Sequence, residues 1–170
     1  MNSNLAILEQ IQIASGFLPL DLGTARTGDA VSLKNYRRLL VVFFKGAGTA
    51  GDDPTITLLQ GTDVAFATNK ALNFTTVYKK QGADLEAVGQ WTKVTQAAGN
   101  TYTDATSAEV SAIWAVEIKA EDLDIANNYD CVRASVGDIG TNAQLGCVLY
   151  LLADPVQMMA PESMRSAIID

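Results

Sequence analysis

The amino-acid sequence predicts an all-β protein: a β-sandwich or jelly-roll-like fold with irregular N- and C-terminal arms. Three observations carry this. Short runs rich in β-branched and aromatic residues recur along the chain, separated by Gly, Asp and Asn clusters, and give roughly eight to ten strands. No helix of ten or more residues with convincing periodicity lies between them, which disfavours a parallel α/β sheet. The 170 residues suit one domain of ordinary size, able to bury roughly 70% of its unfolded surface without disulfide or metal staples.

The elements follow in order. Ala6 to Ala14, AILEQIQIA, ends in an alternation of Gln10 and Gln12 with Ile11 and Ile13 that suits a half-buried strand, although its first half reads equally as a short helix capped by Asn4. Phe17 to Leu22 carries Pro19, which restricts it to an edge or a bend. Ala30 to Leu33 starts another strand. Arg37 to Lys45, RRLLVVFFK, is the strongest strand: its unbroken apolar run predicts a central position with burial on both faces. Thr55 to Leu59 alternates, Ala71 to Lys79 is β-rich, and Val88 to Val94 reads as a short strand holding Trp91. Ala97 to Ser107 reads as a polar loop. In Glu109 to Ile118 the residues Val110, Ala112, Trp114 and Val116 share one face, and Ala120 to Leu123 suits a single helical turn. Tyr129 to Val136 and Gln144 to Leu152 complete the strands. The stretch from Asp154 onward, with Pro155, Pro161 and three of the four methionines, reads as an irregular tail. The expected organisation is a single domain over 1–170, with arms at 1–15 and 155–170.

Composition limits the function. Charged residues make up 18% of the chain, below the ~25% usual for soluble domains. Neutral surface of that kind suits protein contact. Net charge is −7, with 12 basic against 19 acidic residues, so the chain lacks the cationic excess that phosphate neutralisation requires. Nucleic acid and anionic membranes are therefore not expected partners. The longest apolar run, Leu39 to Phe44, is far short of the ~20 residues a bilayer needs. The first residues lack the basic start and continuous apolar patch of a secretory signal. The chain has no histidine, which removes Ser–His and Cys–His nucleophiles and His-based zinc sites, and two cysteines cannot form a four-thiolate site. The reading is a non-enzymatic protein without cofactor or metal.

Several motifs bear on that reading. Gly46, Gly48 and Gly51 spell G-x-G-x-x-G after a strong strand, but Asp52, Asp53 and Pro54 follow and lead into another strand, so a glycine-rich loop is the better account. Asp122, Asp124 and Asp130 fall near calcium-loop spacing, yet the loop's glycine is missing. Cys131 and Cys147 read as buried free thiols. Asn73-Phe74-Thr75 matches a glycosylation acceptor but reads as strand. Trp91 and Trp114 suit a core or an interface, with sugar stacking as the alternative. Lys34 to Arg38 is a small basic cluster that reads as a solvated loop.

Four segments carry a family resemblance: Val31 to Gly48 (VSLKNYRRLLVVFFKGAG), Glu117 to Asp124 (EIKAEDLD), Tyr129 to Ala134 (YDCVRA) and Leu149 to Pro155 (LYLLADP). In type and order they resemble small structural proteins from the head-gene regions of tailed bacteriophages, over roughly residues 8 to 161 as a pattern of elements. The resemblance implies a capsid decoration (cement) protein. It further implies a β-sandwich or jelly roll, often trimeric, that clamps major capsid protein subunits on the virion surface. No catalytic residues come with it. The candidate interface residues lie in the two arms: Leu5, Ile7 and Leu8 at one end, and Met158, Met159, Met164, Ile168 and Ile169 at the other. Flexible Met side chains suit adaptable contacts, and multivalency would supply hold where each arm binds weakly.

Overall fold

The computed structural model describes residues 4–169; residues 1–3 and 170 of the two arms lie outside the described residues. In chain order the strands are β1 (Ile11–Asp21), β2 (Arg26–Ser32), β3 (Tyr36–Lys45), β4 (Thr55–Gly61), β5 (Asn69–Ala71), β6 (Phe74–Gly82), β7 (Thr92–Gly99), β8 (Thr101–Thr103), β9 (Ser111–Lys119), β10 (Cys131–Val136) and β11 (Leu145–Pro155). The helical elements among the described residues are single 3₁₀ turns, one of them at Ala120–Asp122 as the sequence suggests.

The strands form two antiparallel sheets, ordered β1-β11-β3-β9-β6-β7 and β2-β10-β4-β5, with β8 also paired to β4. The topology is that of a folded ribbon. β1 pairs with β11, β2 with β10, β3 with β9, and β4 with β5. The ribbon then folds over so that β11 meets β3 and β10 meets β4. This is the strand order of a jelly roll. The β6–β7 hairpin is an insertion that widens the larger sheet.

The core lies between the sheets. Alternation along β3 points Leu39, Val41 and Phe43 inward, and Ala112, Trp114, Val116 and Ile118 of β9 do the same. Phe43 and Tyr102 both pack on the Trp114 ring, with centroids 5.3 and 4.9 Å away. The buried Tyr150 hydroxyl ties one sheet to the other: it donates to the Asp29 carbonyl (3.0 Å) and accepts from the Ala134 N–H (2.8 Å). Pro19 falls in edge strand β1 where its register with β11 shifts, as expected of a proline that cannot donate to the ladder.

Several expectations are corrected. β3 is central, but it is not buried on both faces: Leu40 and Val42 are only half-buried and Phe44 is exposed. The strand predicted over 88–94 starts at Thr92, leaving Trp91 in the preceding turn. The polar loop predicted over 97–107 contains the end of β7 and all of β8, whose Tyr102 is buried. The N-terminal stretch read as an arm is a strand from Ile11 onward, because Ile11 to Ser15 pair with β11. The C-terminal stretch is irregular but anchored. Ala167 is buried, its carbonyl accepts from the Ser32 N–H (2.7 Å), and the Tyr36 hydroxyl donates to the Arg165 carbonyl. The tail thus covers the outer edge of β2, a position where an unpaired strand would invite other chains.

Candidate functional site

The outer face of the six-stranded sheet is apolar and open. Inward residues of β3 and β11 alternate with outward ones, and the register brings the outward ones into rows. Leu40 faces Leu151, which faces Ile13; Val42 faces Leu149; Phe44 faces Cys147. Ile113 and Ala115 of β9 extend these rows. Ile13, Phe44 and Leu149 are 49%, 47% and 40% exposed. An exposed leucine alone means little, but a contiguous patch on a sheet marks an interaction site. Glu117 stands opposite Leu40 and Lys80 opposite Ile113, and the residues named in these rows are themselves uncharged. At one end the patch is bounded by Arg38, whose guanidinium pairs with Asp154 (2.6 Å) and Glu117 (3.4 Å) of its own chain.

The residues singled out from the sequence lie outside these rows. Ile7 and Leu8 are exposed in the 3₁₀ turn before β1, with Leu5 half-buried beside it. Met158, Ile168 and Ile169 are exposed in the tail, and Met159 and Met164 half-buried. Ile11 pairs with Ala153, so the chain enters β1 and leaves β11 at the same end of the sheet. A shallow groove brings Ser166 to Ile168 alongside Gln12 to Ser15. Sequence reading missed the main surface, Leu40, Val42, Phe44, Leu149 and Leu151. The available signal was the unbroken apolar run of β3: in an antiparallel sheet the chain covers one face, so such a run leaves apolar side chains on the other.

Several buried or ion-paired polar groups are bonded within the chain. The Lys45 ammonium is buried at one end of the sandwich and donates to the carbonyls of Ser107 (2.5 Å), Val110 (2.8 Å) and Gly46 (3.3 Å). Burial pushes its pKa down to about 8, opposed by the Asp53 charge. Asp53, in the glycine-rich loop, accepts from the Ser107 and Ala108 N–H groups, and the loop runs straight into β4. Asp104 lies well below the usual carboxylate range: burial raises it, but hydrogen bonds from Lys79 and Thr106 outweigh that. Of the three calcium-loop candidates, Asp122 accepts from the Lys119 N–H, Asp124 pairs with Lys70 and Asn127, and Asp130 pairs with Lys34. The two cysteines are not bonded to each other and lie buried on opposite outer faces, Cys147 beside Phe44 and Cys131 under Phe66. Trp114 is core, whereas Trp91 is 49% exposed with the Lys80 ammonium 5.2 Å from its ring centre.

No family model and no curated protein matches the chain. Among solved structures, the crystal structure of the SPBc2 prophage-derived protein YomS is similar at 11% identity, over 82% of this chain and 92% of that one, with a TM-score of 0.45.

Proposed function

We propose that this chain is a non-enzymatic virion structural protein, working as a homo-oligomer, that decorates and stabilises a phage capsid by binding major capsid protein subunits. The observation that carries a packing role is the open apolar face built on β3 and β11. The capsid surface as its location, and a trimer as its assembly, are what the sequence resemblance implies. The jelly-roll body is a platform suited to that work, and the exposed Ile7, Leu8, Met158, Ile168 and Ile169 offer further apolar contacts. Co-sedimentation of the purified chain with empty phage shells, followed by electron microscopy of the pellet, tests the proposal. Saturable binding at regular positions is expected. A chain that stays in the supernatant at all concentrations would overturn it.

A second reading has one observation in its favour. Trp91 is exposed next to Lys80 on the β6–β7 hairpin, which suits stacking on a sugar ring in a receptor-binding module. A glycan array without hits would remove it.

A further inference from the structure

We infer that the outer face of the six-stranded sheet packs against the same face of a second copy of this chain. This rests on the packing role proposed above and names its partner. Charge carries it. The chain has a net charge of −7, so two copies repel unless they meet through a neutral surface. The rows through Leu40, Val42 and Phe44 are such a surface: their facing residues on β1, β9 and β11 are uncharged apart from Glu117, opposite Leu40. Glu117 is itself matched by Arg38, which also pairs with Asp154. The face therefore asks for a neutral, apolar partner, and a second copy supplies one.

The area sets the strength of that contact. The strands β1, β11, β3 and β9, at ~4.8 Å spacing and ~3.3 Å rise per residue, make a footprint on the order of 500 Å². Two such faces together bury on the order of 1,000 Å², at the threshold of a specific interface and below the ~800 Å² per partner of a standard one, so the pairing should be weak and concentration-dependent. Two such faces stack at ~10 Å, as sheets do inside a sandwich. A patch that meets its own copy closes in pairs, so the species formed is a dimer or an assembly built from dimers. This departs from the threefold arrangement that the resemblance implies, since a ring of three needs two different patches.

Size-exclusion chromatography with light scattering on the full chain, over a concentration series, tests this. The expected result is a dimer mass that falls to the monomer mass in Leu149→Glu and in Val42→Asp, with the far-ultraviolet circular dichroism of each variant unchanged. Ile7→Ser with Leu8→Ser should remain dimeric. A wild-type monomer at high concentration, a trimer, or a dimer insensitive to both face variants would overturn the pairing. If either face variant loses its circular dichroism, Leu149→Gln gives the mass readout instead. The shell assay separates this inference from the one it rests on. A monomer that binds shells leaves capsid decoration standing without the pairing, whereas a dimer that ignores shells does the reverse.

Discussion

The two sheets of this sandwich meet the same problem with opposite solutions. Each has apolar side chains on its outer face. The smaller sheet covers its own: the loop between β4 and β5 folds Phe66 down onto Ala30 and Cys131, with Leu59 and Val64 alongside. Phe66 adopts a left-handed conformation to do so (φ 60°), held by Asp63, which accepts from its N–H at 2.7 Å, and by Asn69, which donates to its carbonyl at 3.0 Å. The Arg133 guanidinium lies over the ring, 4.2 Å from its centre. Gly61 makes room, since a Cβ there would stand 2.6 Å from the ring. Among the described residues, the larger sheet has no such lid over Leu40, Val42 and Leu149. A chain that builds a strained lid on one face and leaves the other open treats the two faces differently, and the open face is the one available for assembly.

Substitutions sharpen this contrast, and the largest effect should come from the core. Phe43 and Phe44 are neighbours on β3 that point to opposite faces, one fully buried and the other 47% exposed. Phe43→Ala should cost about 3–5 kcal/mol in urea unfolding, because it leaves a cavity against Trp114.

The next largest effect should come from the lid. Phe66→Ala should cost about 2–3 kcal/mol and open Cys131 to solvent. Thiol labelling of the native protein reads this directly: Cys131 should become reactive in the variant while the rate at Cys147 stays unchanged. A labelling rate at Cys131 that does not move would mean the loop is not what shields it.

These contrasts also show what the sequence made legible. The inward alternation of Ala112, Trp114 and Val116 was readable because a period of two is a property of the strand itself. The central place of β3 was readable from its β-branched and aromatic content. Its open face was not: Leu40 and Leu39 are the same residue type, and which of them the chain covers depends on a second sheet assembled from distant segments. β8 was missed for a related reason. Thr101-Tyr102-Thr103 has one apolar residue, and pairing with β4 makes it a strand. The tail gave no periodicity, and its anchoring depends on the N–H of Ser32 and the hydroxyl of Tyr36, far away in the chain.

Acid should act on the tie between the inserted hairpin of the larger sheet and the end of β8. Lys79 on β6 donates to Asp104, whose carboxyl is held well below its ordinary pKa, with burial outweighed by the hydrogen bonds from Lys79 and Thr106. A carboxylate whose pKa is depressed on folding contributes stability that is present above its unfolded pKa, near 4, and lost as pH falls through the folded value. Thermal stability should therefore fall progressively below pH ~4. Asp104→Asn should lower stability at neutral pH by roughly 1–2 kcal/mol and flatten that part of the profile. An identical acid profile in the variant would assign the acid sensitivity to other carboxylates.

The smallest effect on the folded monomer should come from the open face, and that smallness is itself informative. Phe44→Ala removes a ring that is half in solvent, so at dilutions where the chain is a monomer it should cost less than about 1 kcal/mol, several-fold less than Phe43→Ala. At higher concentrations the two proteins should diverge. A species that buries Phe44 between copies gains stability by mass action, so the wild-type unfolding temperature should rise with concentration and that of Phe44→Ala should rise less. Differential scanning fluorimetry across a concentration series measures both. If the two curves stay parallel, Phe44 is as solvent-exposed at high concentration as it is in the isolated chain, and the open face is not where copies meet.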